Sequence, residues 1–258
     1  MTTHLLKKLL AGLTAGAALL CGAFAAQAAE VQYAHAPINL NDQASLQHGA
    51  KIFVNYCLGC HSAAAMRYNR LTDLGLTEQE IKDNLLLTDQ KIGETMISAI
   101  NPVQAKDWFG ANPPDLSVIA RARGGEGVKG ADYLYTLFLS FYRDPNRPTG
   151  WNNLVFPNIG MPHPLWELQG AREPVFKTEN VYGHDEQVPT GEWRQVTTGK
   201  LSPEEYARTV GDLVNYLQWM GEPAQATRAR IGIWVMVFLL LCTFIAWKLN
   251  AAYWKDVK

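Results

Sequence analysis

Two long apolar stretches lie near opposite ends of the 258-residue chain. The stretch 9–24 follows Lys7 and Lys8 and precedes a small-residue site at 26–28, an order typical of a cleaved secretory signal. The stretch 231–247 contains no charged residue, and 17 residues at a rise of about 1.5 Å nearly span a bilayer core. We therefore predict three regions: a signal peptide over 1–28, an exported domain over 29–227, and a transmembrane anchor with a short tail over 228–258.

Apolar residues recur at helical spacing through much of the exported domain. Capping signals mark two helix starts, one at Thr77 with Glu80 three residues later and one at Ser202, which is followed by a proline. The segment 45–56 leads directly into a cysteine motif, so we expect a helix to deliver Cys57. The spacing predicts helices over 45–56, 77–87, 89–100 and 132–142 and a further helix after Ser202.

Two segments, 152–164 and 170–199, are rich in glycine and proline and are predicted to be long loops. Within the second, the residues at 175–178 and 193–197 favour a small β-hairpin. Long loops in a compact domain usually serve function or a partner. The predicted fold is therefore mainly α, with long loops, a small β-hairpin and one C-terminal transmembrane helix.

Charge divides along the same boundaries. The exported region 29–227 contains 16 Lys and Arg against 23 Asp and Glu, whereas the tail 248–258 contains three Lys and one Asp. A basic tail suits the cytoplasmic side of a membrane, so we expect the exported domain on the periplasmic side. An acidic domain gives no indication of a nucleic-acid partner, and none is expected.

The cysteines point to one cofactor. Cys21 falls in the predicted signal and Cys242 in the predicted anchor, which leaves Cys57 and Cys60, followed by His61, as a C-x-x-C-H motif. A thioredoxin-like disulfide would need a βαβ context, and a structural zinc site would need four ligands, for which there is no second pair. The motif indicates covalent attachment of one haem c through Cys57 and Cys60, with His61 as the proximal iron ligand.

The sixth iron ligand decides whether such a haem is an electron carrier or an open reaction site. Met96 and Met220 fall at core positions of predicted helices, and Met66 follows the motif too closely. Met161 lies in a stiff loop between a glycine and a proline, which suits a ligand held against a flat ring. His163 is the rival, since imidazole also binds iron, although we expect it on the surface of that loop.

Two arginines that follow a Pro113-Pro114 turn are candidates for binding haem propionates. Arg121 and Arg123 come after Asp115, which is expected to cap a helix. Bidentate guanidinium groups suit carboxylates, but a solvated pair of arginines explains the pattern equally well.

Several motifs in a fixed order resemble those of the cytochrome c1 family, the haem subunits of bacterial cytochrome bc1 complexes. The motifs are "NYCLGCHSAAAMRYNRL", "NPPDLSVIARARGG", "FPNIGMPHPLWEL" and "LVNYLQWMGEP", followed by the C-terminal anchor. The resemblance implies a cytochrome-c-like haem domain with His61 and Met161 as axial ligands. It also implies that Arg123, with Tyr133 as a helper, lies at the propionates, whereas 170–199 does not map onto the family pattern.

The resemblance implies an electron-transfer subunit of the respiratory chain that is not an enzyme on its own. The family accepts an electron from the Rieske iron–sulfur protein and passes it to a soluble or membrane-tethered c-type cytochrome. It works beside cytochrome b in a dimeric complex of the inner membrane, with the haem domain periplasmic and the C-terminus cytoplasmic. The segment 71–94, with six acidic and two basic residues, is a candidate docking patch for a cationic partner, although a merely soluble surface explains it as well.

Two other interpretations remain open from the residues alone. A haem enzyme such as a peroxidase would need a displaceable sixth ligand and often more than one haem, whereas the chain has one C-x-x-C-H motif and Met161. An anchored c-type electron donor outside the quinol complex would share both the haem and the anchor. The long loops and the "NPPDLS" run argue against that donor.

Overall fold

The computed structural model describes residues 32–125, 127–181 and 184–255, so the predicted signal peptide over 1–28 lies outside the described residues. Helices make up most of the regular structure, which confirms the mainly α class. The α-helices are α1 (Gln43–Ile52), α2 (Glu78–Asn84), α3 (Pro102–Phe109), α4 (Ile119–Ala122), α5 (Gly130–Phe138), α6 (Trp166–Gln169), α7 (Pro203–Gly221) and α8 (Gln225–Tyr253).

The strands of the described chain form three separate two-stranded antiparallel sheets. Each sheet is too small to form a layer of the core, so the strands serve to fix the courses of the loops between helices. The pairs are β1 (Ala63–Arg67) with β2 (Thr95–Met96), β3 (Phe141–Arg143) with β4 (Trp151–Asn153), and β5 (Arg172–Val181) with β6 (His184–Gln195).

The core is centred on the contact between α1 and α7. Gly49 allows the close approach, since a Cβ atom there would lie 2.1 Å from the carbonyl oxygen of Asp212. Phe53 and Tyr216 are both buried, and their ring centroids lie 5.6 Å apart. A π-helical turn, Phe53–Cys57, continues α1 and ends at the first cysteine of the motif. The predicted delivery of that cysteine by a helix is therefore observed.

Both predicted capping signals form complete capping boxes. The hydroxyl of Thr77 accepts from the backbone N–H of Glu80 at 3.2 Å, and the Glu80 carboxylate accepts from the N–H of Thr77 at 2.7 Å. Ser202 and Glu205 repeat the arrangement at 3.3 and 2.9 Å. Each box satisfies two N–H groups that a helix start leaves without partners, so the starts of α2 and α7 are confirmed.

The predicted helix over 89–100 is wrong, because this segment turns and then forms β2. One hydrogen bond closes a turn within the segment, from the N–H of Glu94 to the carbonyl of Lys91 at 2.8 Å, and other backbone groups bond to β1 and to the 3-10 helix Tyr68–Leu74. The N–H of Asn69 donates to the carbonyl of Ile92 at 2.8 Å, and the N–H of Tyr68 donates to that of Glu94 at 3.2 Å. These nonlocal hydrogen bonds override the helical spacing of the apolar residues.

The predicted helix over 132–142 is observed as α5, which begins two residues earlier and ends at Phe138. The chain then enters β3, whose register with β4 pairs Phe141 with Asn153. A long-range strand pairing thus shortens the helix, and the local apolar pattern contains no sign of it.

The segment 170–199 contains a longer hairpin than predicted. In β5 and β6, Phe176 pairs with Pro189 and Pro174 with Trp193. Both strands therefore contain proline, which interrupts the pattern from which strands are predicted. For that reason the existence of the hairpin is confirmed, whereas the predicted strand bounds were too short and out of register.

Arg172, the first residue of β5, contacts both β6 and the chain after α5. Its guanidinium carbon lies 3.9 Å from the centroid of the Trp193 ring, and its Nη2 donates to the carbonyl oxygen of Leu139. Burial lowers the pKa of Arg172 to about 10, which still leaves the side chain charged at neutral pH. The hydrogen bond from Arg172 joins the hairpin to the residue that follows α5, and the cation–π contact with Trp193 joins β5 to β6 within the hairpin.

The last helix, α8, is long and apolar enough to cross a membrane. Its candidate span, Thr227–Tyr253, has a mean hydropathy of 2.2, and none of its most apolar window is buried within the protein. Near its start, Nε of Arg228 lies 2.7 Å from the carboxylate of Glu222, which follows α7. An apolar helix exposed on every face suits a bilayer, which agrees with the predicted anchor.

Candidate functional site

A cavity of about 500 Å³ brings together residues that are far apart in the sequence. Cys57, Cys60 and His61 line it together with Met161, which follows the histidine by 100 residues. The remaining lining is mostly apolar and comes from α3, α4, α5, α7 and the loops between helices. Apolar cavities of this size with a few polar groups are typical of cofactor sites.

The C-x-x-C-H motif forms a tight turn. The backbone N–H groups of Cys60 and His61 both donate to the carbonyl oxygen of Cys57, at 3.1 and 2.8 Å. The turn brings both cysteines and the histidine to the same cavity. Two sulfur atoms and one imidazole are thereby presented to a single bound group, as covalent haem attachment requires.

The other two chemistries considered for the motif find no support in the described residues. Burial, with a smaller contribution from Cys60, raises the pKa of Cys57 to about 12. A redox-active cysteine needs a lowered pKa instead. Within residues 32–125, 127–181 and 184–255, no group of three His, Cys, Asp or Glu side chains could hold a metal ion, which weighs against zinc.

A backbone carbonyl orients the ring of His61. Its Nδ1 lies 2.8 Å from the carbonyl oxygen of Pro114, and since a carbonyl only accepts, Nδ1 carries the proton of that hydrogen bond. Burial lowers the pKa of His61, and the opposing effects of Pro114 and Asp115 are smaller. The ring is therefore neutral at physiological pH, with the lone pair of Nε2 available to a metal.

Asp115 holds the loop that contains Pro114 against β1. One carboxylate oxygen accepts from the N–H of Ala64 at 2.7 Å, and the other accepts from the N–H of Ser117 at 2.8 Å. Partial burial raises the pKa of Asp115, but these hydrogen bonds outweigh it and leave the pKa below its ordinary value. The expected helix cap is wrong, because α4 begins only at Ile119 and Asp115 binds the backbone of β1 instead.

Among the described methionines, Met161 alone lines the cavity. Its glycine and proline neighbours line the cavity too, so the backbone of this loop approaches the site closely. Met66, Met96 and Met220 are buried in the hydrophobic core. A core position was expected for Met96 and Met220, although Met96 lies in β2 and not in a helix.

His163 does not lie on the surface, contrary to expectation. It is 1% exposed, and its ring stacks on that of Phe141 with centroids 4.6 Å apart and meets the ring of Trp151 edge-on at 5.2 Å. Burial, followed by the charge of Arg172, lowers the pKa of His163 to about 3, so the ring is neutral. β3 and β4 build this aromatic slot, which residue spacing could not reveal. His163 is not among the residues that line the cavity.

The two candidate arginines have different environments. Arg123 lines the cavity with Tyr133, and its guanidinium carbon lies 5.6 Å from the centroid of the Tyr133 ring. Arg121 is outside the lining, with 61% of its side chain exposed and its Nη1 3.7 Å from the carboxylate of Glu222. The structure therefore brings Arg123, but not Arg121, to the cavity.

Sequence patterns missed the apolar side chains that complete the cavity. Leu134, Leu137 and Phe138 reach it from α5, Phe109 from the end of α3, and Phe156 from the loop before Met161. The helical spacing of the α5 residues indicated a buried face. It could not indicate what that face contacts.

Comparison with known proteins agrees with this architecture. The model of the Cytochrome C1 family matches residues 33–173 and 194–257. Cytochrome c1 of Allochromatium vinosum is 45% identical over 223 residues, which cover 86% of this chain and 88% of that protein. The ammonia monooxygenase gamma subunit of Nitrosomonas europaea is 43% identical over 244 residues, 93% of this chain and 96% of that protein. Cytochrome c1 of Rhodospirillum rubrum is 28% identical over 238 residues, 84% of this chain and 83% of that protein.

The interval between the two matched ranges, 174–193, coincides with most of the β5–β6 hairpin. Family members carry a covalently attached c-type haem, and they transfer electrons in the bc1 complex beside cytochrome b and the Rieske protein. The donor set of the cavity fits a haem, since it offers two thiols, an imidazole, a thioether and a guanidinium. The chain belongs to the cytochrome c1 family, and it is a membrane-anchored haem protein of electron transport.

Proposed function

We propose that this chain relays single electrons from a Rieske iron–sulfur protein to a soluble or membrane-tethered c-type cytochrome. The observation that supports this most strongly is the meeting of Cys57, Cys60, His61 and Met161 around one cavity. A haem c in that cavity supplies one-electron exchange between ferric and ferrous iron. The residues of the chain hold this group, limit its contact with water and present it to partners.

In this proposal, the sulfur atoms of Cys57 and Cys60 attach the haem covalently. Nε2 of His61 is one axial ligand, and the neutral ring with its Nδ1 proton on a backbone carbonyl supports this role. The thioether of Met161 is the other axial ligand, supported by its position in the cavity lining. The burial of His163 outside that lining disfavours it as the rival ligand.

Arg123 is proposed to bind a haem propionate, with Tyr133 beside it. A guanidinium that lines the cavity and also lies near an aromatic ring is restrained in position, which favours a charge-assisted contact to a carboxylate. The ion pair of Arg121 with Glu222, outside the cavity lining, gives Arg121 a separate role at the junction with α8.

An electron carrier is favoured over a haem enzyme with a displaceable ligand, because the chain itself offers a thioether to the sixth position. In this proposal the chain neither makes nor breaks a bond in a substrate. A cationic electron acceptor is favoured, since all six acidic residues of 71–94 are exposed and only two of them, Asp73 and Glu78, form ion pairs within the described residues.

The proposed orientation of the chain in the membrane follows from the basic charge of the C-terminal tail. We place the haem domain on the periplasmic side of the inner membrane and the basic C-terminal tail in the cytoplasm, after removal of a signal peptide over 1–28. The same proposal includes assembly of the chain in a dimeric complex.

Replacement of Met161 by Leu tests the ligand assignment. The variant is expected to lose the low-spin spectrum of methionine-ligated haem and to show a lower reduction potential, because a thioether ligand raises the potential. Met66→Leu is the matched control, since Met66 is buried in the core and does not line the cavity. An unchanged spectrum and potential in Met161→Leu would refute the assignment.

Copurification tests the relay. The native membrane is solubilised in mild detergent, this chain is isolated, and the preparation is examined for b-type haem and for the electron paramagnetic resonance signal of a Rieske cluster. Both are expected. A stable, intact preparation that contains neither would favour an anchored donor outside the quinol complex.

A further inference from the structure

Two consecutive asparagines at the end of β4 place amide groups inside the core. Asn152 is 7% exposed and Asn153 is 1% exposed. Buried amides are destabilising unless their donors and acceptors are hydrogen-bonded, so each needs an account of its partners. For both residues those partners include the backbone of the loop that leads to Met161.

Asn153 joins that loop to α5. Its Oδ1 accepts from the backbone N–H groups of Val155 and Phe156, at 2.9 and 3.0 Å, and from the hydroxyl of Ser140 at 3.1 Å. Its Nδ2 donates to the carbonyl oxygen of Leu137 at 2.7 Å. The two N–H donors on one side and the carbonyl on the other determine the orientation of the amide. Phe156 and Leu137 both line the cavity, so one side chain bridges two parts of its lining.

Asn152 holds the next part of the same loop. Its Oδ1 accepts from the backbone N–H of Asn158 at 2.8 Å, and its Nδ2 donates to a carboxylate oxygen of Asp144 at 2.9 Å. Asn158 has a φ of 62°, in the left-handed region that residues other than glycine rarely adopt. The hydrogen bond stabilises this conformation three residues before Met161.

We propose that Asn152 and Asn153 are positioning residues that keep the thioether of Met161 against the haem iron. Four hydrogen bonds, to Leu137, Val155, Phe156 and Asn158, restrain the loop just before the ligand. With the loop restrained, the sulfur leaves the iron rarely. The proposal rests on the proposed ligation by Met161 and extends it to the residues that enforce it.

The rate at which cyanide binds to ferric haem in the full-length, haem-loaded chain in detergent measures how often the sixth position opens. We expect Asn152→Ala and Asn153→Ala to accelerate cyanide binding at least about tenfold, roughly the effect of one net hydrogen bond. The absorption band of methionine-ligated ferric haem should weaken in the same variants.

Asn215→Ala is the matched control. Asn215 is 0% exposed and makes three hydrogen bonds of the same kind, but they go to Asn39 and Ser45. Loss of the Asn215 amide should destabilise the domain about as much as loss of the Asn153 amide. We expect Asn215→Ala to change the rate of cyanide binding less than about twofold. Equal acceleration by Asn215→Ala and Asn153→Ala would overturn the proposal, because the cause would then be general loosening of the domain.

An exchange of side chains provides a rescue. Asp144→Asn combined with Asn152→Asp restores an oxygen acceptor for Asn158 and a hydrogen bond between positions 144 and 152. The net charge is unchanged. We expect the cyanide rate of this double variant to return to within about threefold of the original. A rate as fast as that of Asn152→Ala would contradict a role for the Asn158 hydrogen bond.

The Met161→Leu background separates this proposal from the ligand assignment. If Asn153 acts through Met161, Asn153→Ala should have little further effect once the thioether is gone. An undiminished effect in that background would refute positioning by Asn153. If Met161→Leu alone leaves the spectrum unchanged, the ligand assignment itself fails, which is a different result.

Discussion

Replacement of His163 by Phe tests whether the imidazole serves as a buried ring or as a ligand. In the part of the chain that the structure describes, neither ring nitrogen makes a hydrogen bond of good geometry; a side-chain interaction with Gln169 raises the pKa of His163, but by less than burial lowers it. The ring stacks almost parallel to Phe141, with an interplanar angle of 6°, and meets Trp151 and Tyr206 edge-on. A phenyl ring keeps this planar shape and removes two polar atoms from the slot.

The expected magnitudes follow from these contacts. Loss of these two buried polar atoms favours the Phe variant by about 1–3 kcal/mol, and the slightly larger ring costs about 1–3 kcal/mol. The free energy of unfolding of His163→Phe should therefore lie within about 1 kcal/mol of the original value. His163→Ala removes the stacked ring and leaves a cavity, so it should cost about 3 kcal/mol or more.

Urea unfolding of the haem-loaded chain in detergent, together with its absorption spectrum, measures both effects. His163→Phe should keep the spectrum of methionine-ligated haem, because His163 does not line the cavity. If the Phe variant were as unstable as the Ala variant, the imidazole nitrogens would make stabilising hydrogen bonds, and a role as a buried ring alone would be refuted. If the Phe variant lost the low-spin spectrum while Met161→Leu kept it, His163 would be the ligand.

Two further predictions concern the propionate site and the hairpin. Arg123→Gln should lower the reduction potential by roughly 40 mV, equivalent to about 1 kcal/mol, because it removes a positive charge that favours the reduced haem. Arg121→Gln is the control and should change the potential much less. Equal shifts of the two variants in redox titrations would contradict the assignment of Arg123 to the propionate. Replacement of 175–192 by a two-residue turn, with Arg172 and Trp193 retained, should leave the haem spectrum unchanged. The free energy of unfolding should stay within about 1 kcal/mol of the original value, because the family model matches the chain on both sides of the removed segment. Loss of haem from this variant would refute the prediction.

The sequence predicted best those features whose cause is local. The capping boxes at Thr77 and Ser202 depend on residues three positions apart, and the turn of the cysteine motif depends on Cys57 to His61. Neighbours along the chain provide the hydrogen bonds of the capping boxes and the backbone hydrogen bonds that close the turn. Such contacts survive in any fold that the rest of the chain adopts, so their pattern alone was sufficient.

The failures have nonlocal causes. The segment 89–100 has helical spacing, yet its backbone pairs with residues more than twenty positions earlier. His163 is buried because β3 and β4 place Phe141 and Trp151 around it. Without the family resemblance, Arg121 and Arg123 were equivalent in the sequence, and the positions of Tyr133 and Glu222 separate them in the structure. In each case the deciding partner lies outside the window in which a pattern can be recognised.

The two sides of the cavity use the same physical device with different residues. A carboxylate, Asp115, restrains the loop that orients His61, and two amides, Asn152 and Asn153, restrain the loop of Met161. Each device uses a polar side chain with several backbone hydrogen bonds, although apolar packing would avoid the cost of desolvation. Hydrogen bonds are directional, so they hold a loop in one geometry more strictly than apolar packing does. An electron carrier benefits from that difference, because ligands that stay in place in both oxidation states reduce the reorganisation that accompanies each electron transfer.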